Sequence, residues 1–243
     1  MAEPVVAAVL TFVAFFAGAI SGFGAGLLAV PLFTWYLASL PGAVVVMNAL
    51  GLVQSGLILA SNRQHVVWSE FRRMAAWAGA GLPIGLLGAR HLPERELLVG
   101  LGLMVVLSGL AQLFKRPVRF PPKLVEPGLN SLLFSGGVIH GAFGTGGATV
   151  AIYTAIRVAA KDSFRSTFSA FWVFMNVAML TAMGFQGFID QRAIVHIAVG
   201  VPIVLAANQL GEITQRRVNQ EHFTRWVAIM LLIAGVSTLA RNL

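Results

Sequence analysis

Two short stretches hold the backbone best suited to chemistry in this chain: "SGFGAGLLAVP" from Ser21 and "GAFGTGGATVA" from Gly141. Both carry Phe-Gly-x-Gly inside apolar surroundings. Glycine in a helix interior costs about 1 kcal/mol against alanine, so a repeated glycine motif there needs a reason. A turn at each motif, followed by a helix, would present backbone N–H groups without intrahelical acceptors and a partial positive charge. Two such ends facing each other make a site for an anion. The residues expected to supply it are Gly24, Ala25 and Gly26 in the first motif and Gly144, Thr145, Gly146 and Gly147 in the second. Gly146 is expected at positive φ, which a β-branched replacement would resist. The competing use of the same residues is close helix packing, and Gly18, Gly22 and Gly26 have the spacing for it.

Polar side chains accompany the motifs. Asn48 and Ser55 stand seven apart, on one helix face, and Ser169 and Asn176 repeat that spacing later. Inside a membrane such groups are costly and mark function or interhelical hydrogen bonds. His140 precedes the second motif, placed to donate to an anion, to carry a proton, or to pack as a neutral ring. Gln54, Asn208 and Gln209 are weaker candidates, and Arg165 has the position of a headgroup or topology residue. Every carboxylate falls near a segment end or in a loop, so a cation substrate or carboxylate proton relay is disfavoured. The absence of cysteine excludes thiol catalysis and disulfides. No metal site or cofactor is expected. Neither glycine motif follows a strand or precedes a lysine, which removes the phosphate-loop and dinucleotide readings. Intramembrane protease signatures are missing too, so an enzyme is not expected.

The elements that must position these residues are apolar helices. Of 243 residues 57% are hydrophobic and 11% charged, against about 25% charged in soluble domains; mean hydropathy is +0.81. The expected fold is an all-α polytopic membrane protein. Its apolar stretches run roughly over 4–20, 27–40, 43–60, 75–89, 97–114, 129–142, 149–158, 168–188, 193–210 and 223–239. The opening "MAEPVVAAVL" reads as the first of these and not as a removable signal. The net charge of +8 reads as topology-setting loop residues, with no role for nucleic acid.

The stretch "KRPVRFPPKLVEPG", 115–128, with four prolines, is expected to be neither helix nor membrane. It divides the chain into a first membrane repeat (1–114), a cytoplasmic linker (115–128) and a second repeat (129–243). The halves correspond in order. Phe23 matches Phe143 at an offset of 120, "GLPIGLLGAR" from Gly81 matches "GVPIVLAANQ" from Gly200 at 119, and Asn48 and Ser55 fall opposite Ser169 and Asn176 at 121. Five stretches per half, an odd number, invert one half relative to the other. Lysines and arginines then collect on one face (63, 72, 73, 115–123, 157–165, 216–217), with Arg90, Arg95, Arg192 and Arg241 opposite. The rich face is expected in the cytoplasm and both termini outside. The second and seventh stretches are too short to cross, so each half is expected to open with a helical hairpin, which turns near the midplane if it is re-entrant.

The paired glycine motifs, the "VPLF" after the first, the "GLPIGLLGAR" element and the two similar halves resemble the sulfite exporter TauE/SafE family of membrane permeases. The resemblance implies a multi-pass protein of the bacterial inner membrane that moves sulfite, sulfoacetate or a related sulfonate, with Gly24, Gly26, Gly144, Gly146 and Gly147 as its glycine-rich pattern. Together with the repeat, it implies a secondary transporter working by alternating access around the hairpin tips. Partners would be the small anion, the bilayer and a proton or sodium coupling ion; oligomeric state is not legible. The alternative function is an accessory membrane subunit without its own substrate.

Overall fold

The computed structural model describes residues 2–21, 25–114, 121, 124–215 and 220–243. Among them the chain forms ten α-helices: α1 (Ala2–Ser21), α2 (Gly26–Leu37), α3 (Leu40–Asn62), α4 (Trp68–His91), α5 (Glu94–Phe114), α6 (Val125–Phe143), α7 (Gly147–Arg157), α8 (Lys161–Phe185), α9 (Gln191–Gln215) and α10 (Gln220–Asn242). Each corresponds to one apolar stretch of the sequence, usually longer by a polar turn. No strand occurs among the described residues. Four spans, 40–65, 94–114, 161–185 and 191–215, are long and apolar enough to cross a membrane. The solvation pattern is inverted, as lipid requires. Leu107, Phe185, Ile194 and Ile233 face outward, while Asn48, Gln54, His140, Thr145 and Asn176 are buried.

Helices α2 and α7 have 12 and 11 residues, about 18 and 16 Å at 1.5 Å per residue. That is little more than half of a hydrocarbon core of about 30 Å. Helix α6 begins at Val125, inside the stretch expected to be unstructured. Its Pro127 falls in the first turn, where a missing N–H costs nothing. Residues 115–120, 122 and 123 of that stretch lie outside the described residues.

Close packing depends on glycine. On the α4–α6 seam, a Cβ on Gly137 or Gly141 would lie 2.0 or 2.1 Å from the carbonyl of Ala78 or Leu82, and one on Gly85 would lie 2.0 Å from the Val138 carbonyl. Any larger residue forces those helices apart. The most extensive helix pairs are α4–α6, α5–α10, α1–α9 and α3–α8, each joining the first five helices to the last five. A shift of five helices maps α1–α9 onto α6–α4, α3–α9 onto α8–α4, and α2–α3 onto α7–α8.

Two groups of charged residues mark the ends of the helices, apart from the Arg165–Glu212 pair. At one, Glu126 pairs with Arg73 and Arg157, and Tyr153 donates to Glu70. At the other, Arg95 donates to the carbonyls of Asn242 and Leu243 at 2.7 and 2.6 Å, and Arg241 stacks 5.1 Å above Trp35.

Candidate functional site: two glycine tips over a polar helix pair

The second tip is built by two glycines with different jobs. Gly144 ends α6 in the left-handed region at φ 68°, its N–H donating to the His140 carbonyl at 2.7 Å. A Cβ there would also lie 2.8–2.9 Å from the side chains of Val44 and Asn48. Gly146 sits at an ordinary φ of −114°, which corrects the expectation of positive φ at that position. Its requirement is space: a Cβ would stand 2.0 Å from the Gly136 carbonyl. Helix α7 starts immediately afterwards, and α2 starts after Ala25. Neither N-terminus is capped by a side chain, in contrast to α3, where Ser39 accepts from the Gly42 N–H at 3.2 Å.

The two tips meet. The Thr145 hydroxyl oxygen lies 3.1 Å from where a Cβ on Gly26 would be. Ala25, Gly26 and Leu27 of one tip and Gly144, Thr145 and Gly147 of the other border a cavity of about 50 Å³. Its remaining wall is one face of α3 (Met47, Asn48, Gly51, Gln54, Ser55), Trp172 and Asn176 of α8, and Phe15 of α1. Positions 48, 51 and 55, like 172 and 176, share a helix face by their spacing.

Hydrogen bonds hold this wall in register. The Asn48 side-chain N–H₂ donates to the Val44 carbonyl at 2.8 Å and reaches the Gly144 carbonyl at 3.5 Å. Gln54 donates to the Phe15 carbonyl at 3.0 Å, joining α3 to α1. The Asn176 amide lies over Gly51, 3.2 Å from where a Cβ would be. Asn48 Oδ1 and Trp172 Nε1 are buried without a hydrogen-bond partner.

The expected site residues divide accordingly. Ala25, Gly26, Asn48, Ser55, Gly144, Thr145, Gly147 and Asn176 border one cavity. Gly146 lies behind it, against α6. His140 is also behind, its ring 5.1 Å from that of Trp172; the Met175 carbonyl is beside it, yet neither ring nitrogen closes a hydrogen bond. Ser169 is buried off the wall. Gly24 lies outside the described residues. Trp172, Gly51, Met47 and Phe15 were not anticipated. Trp172 had a signal: it lies on the Ser169–Asn176 face and falls opposite Gly51 at the offset of 121.

Among the described residues no charged side chain borders the cavity. The carboxylates Glu70, Glu94, Glu126 and Asp162 occupy first helical turns, and Asp190 caps α9. No cluster of three potential metal ligands exists among the described residues. The arrangement offers donors and dipoles to a small ligand. The family model of the sulfite exporter TauE/SafE matches residues 7–238, nearly the whole chain. The chain belongs to that family. TauE/SafE proteins are membrane transporters of sulfur anions, not enzymes. No match was found among curated proteins or solved structures.

Proposed function

We propose that this TauE/SafE protein is a secondary transporter that moves a sulfite-sized oxyanion across the bacterial inner membrane, holding it in the cavity between the two glycine tips. One observation carries the proposal: both uncapped helix starts and the polar faces of α3 and α8 border the same cavity. Its size supports an inorganic oxyanion over an organosulfonate. A water-sized group needs roughly 10–15 Å³ of such volume, so the space holds on the order of four atoms. Sulfite has four; sulfoacetate has about twice as many and requires expansion.

Alternating access would move the α1–α9 and α4–α6 pairs, each with its hairpin, relative to one another. The two repeats would be inverted across the membrane, with the Glu126 cluster in the cytoplasm and the Arg95 cluster outside. A proton relay through His140 and sodium held by backbone carbonyls are the two coupling arrangements to separate, by flux under imposed pH and sodium gradients.

The test is sulfite flux into liposomes containing purified protein. Asn176→Leu is expected to abolish flux with a melting temperature near wild type. Loss of folded protein in proportion to loss of flux would assign Asn176 to packing instead. Topology is checked separately: a cysteine at Lys123 is expected to resist membrane-impermeant label applied from outside, and labelling there would reverse the orientation.

A further inference from the structure

The cavity has one feature that a simple anion does not satisfy. Asn48, 2% exposed, uses its N–H₂ group on the Val44 and Gly144 carbonyls. Turning the amide over would set Oδ1 2.8 Å from another carbonyl oxygen, so the contacts fix its orientation. Oδ1 is left buried with no donor. Also on this wall, Trp172 Nε1–H is a buried donor with no acceptor. Further donors are the Thr145 hydroxyl and the first-turn amides of α2 and α7. Among the fully buried polar atoms of this wall, one donor and one acceptor have no partner.

Charge points the same way. With no charged side chain on the wall among the described residues, the positive potential comes from two helix starts of roughly half an elementary charge each. Their sum, about one charge, balances a monoanion and leaves a dianion undercompensated. Resting on the anion-site reading above, we infer that the site recognises a protonated, hydroxyl-bearing monoanion, HO–XO₂⁻, and not the fully ionised oxyanion. The hydroxyl donates to Asn48 Oδ1, and the two other oxygens accept from the tips and Trp172. Hydrogensulfite in its hydroxyl form has this chemistry.

Protein groups must be separated from the ligand's own titration. Around α3 they are Glu94 of α5, which accepts from the Leu40 N–H at 2.7 Å; Lys161, Asp162 and Arg165 at the start of α8, with Arg165 bonded to Glu212 of α9; Arg192 in the first turn of α9; His196 of α9 against Tyr36 of α2; and Arg63 and His65 just after α3. His140, behind Trp172, is the one nearest the wall.

Calorimetry on the full-length protein decides the matter with three probes: hydrogensulfite, hydrogenselenite, and chlorate, a pyramidal monoanion without a hydroxyl. Affinity for the first two is expected to fall about tenfold per pH unit above their second ionisation, also in His140→Gln. Chlorate is expected to bind about tenfold more weakly or worse at every pH where the hydroxyl forms persist, with no such slope. Asn48→Leu is expected to bring chlorate and hydrogenselenite to similar affinities; should that variant not fold, the wild-type comparison stands by itself. Chlorate binding equal to hydrogenselenite, an affinity flat or rising with pH, or a slope lost in His140→Gln would overturn the inference and leave the anion site intact. Absence of binding by all three probes would overturn both.

Discussion

The two hairpins descend from similar sequence but are held very differently. In the second, the tip is locked from behind by the Gly136 carbonyl against Gly146, and the far end of α7 is tied down through Arg157–Glu126–Arg73. Tyr153 of α7 is fully buried and bonded to Glu70. In the first, a Cβ on Gly26 would lie nearest the movable Thr145 side chain, at 3.1 Å, with the Gly144 carbonyl at an ordinary 3.9 Å. Helix α2 ends at Ala38, a non-glycine residue at φ 50°, beside an open groove of about 770 Å³ between α2, α5 and α10. Its counterpart at the offset of 120, Val158, sits at φ −124°. Backbone and ion pairs hold the second copy, and the buried apolar side chains Leu28, Ala29, Val30 and Phe33 hold the first.

The largest effect should come from crowding the anchored tip. Gly146→Ala is expected to destabilise the fold by about 3 kcal/mol, because backbone and not a side chain must move. Thermal melting of the purified variant checks it, and a wild-type melt would remove the anchor from the account. Next is the strained end of α2. Ala38→Gly should stabilise by about 0.5–1 kcal/mol by relieving left-handed strain, while Val158→Gly should lose a similar amount. Equal signs at the two positions would erase the contrast. Glu126→Gln should have a smaller effect, a slight drop in melting temperature that disappears at high salt, with faster amide exchange confined to α7. The smallest change in stability belongs to Gly26→Ala, under about 0.5 kcal/mol, since Thr145 can turn away. Its signature is slower sulfite flux in a normally folded protein; a melt shift like that of Gly146→Ala would make the tips equivalent.

Hydropathy made the helices legible, since each apolar run became one helix. Boundaries were clearest where chemistry marked them, as at Ser39 and Pro41 before α3, and least clear at α4, which begins seven residues before its apolar run, at Trp68. The site was readable as far as spacing could carry it. Asn48, Ser55 and Asn176 reach the cavity because their helix faces do. Ser169 and His140 are buried nearby but miss the wall, and at His140 it is the Trp172 ring that borders the cavity instead. A lone sequence does not announce which of two equivalent positions holds the bulky residue; here Gly51 opens one side of the crossing and Trp172 closes the other. Gly146 was legible as necessary but not as to why, since the Gly136 carbonyl that demands it comes from tertiary packing.

The pairing of helices across the two halves also sets the order in which this protein is able to mature. Helix α1 packs on α9, with Ala19 against Gly211, and α4 packs on α6. Helix α1 therefore waits in the bilayer for α9 before its small-residue face is covered. Until then the nascent first half exposes the polar face of α3 to lipid, a liability for surveillance proteases. Residues 1–114 expressed alone are expected to be degraded, and co-expression with 129–243 is expected to rescue both fragments, because each half completes the other's core.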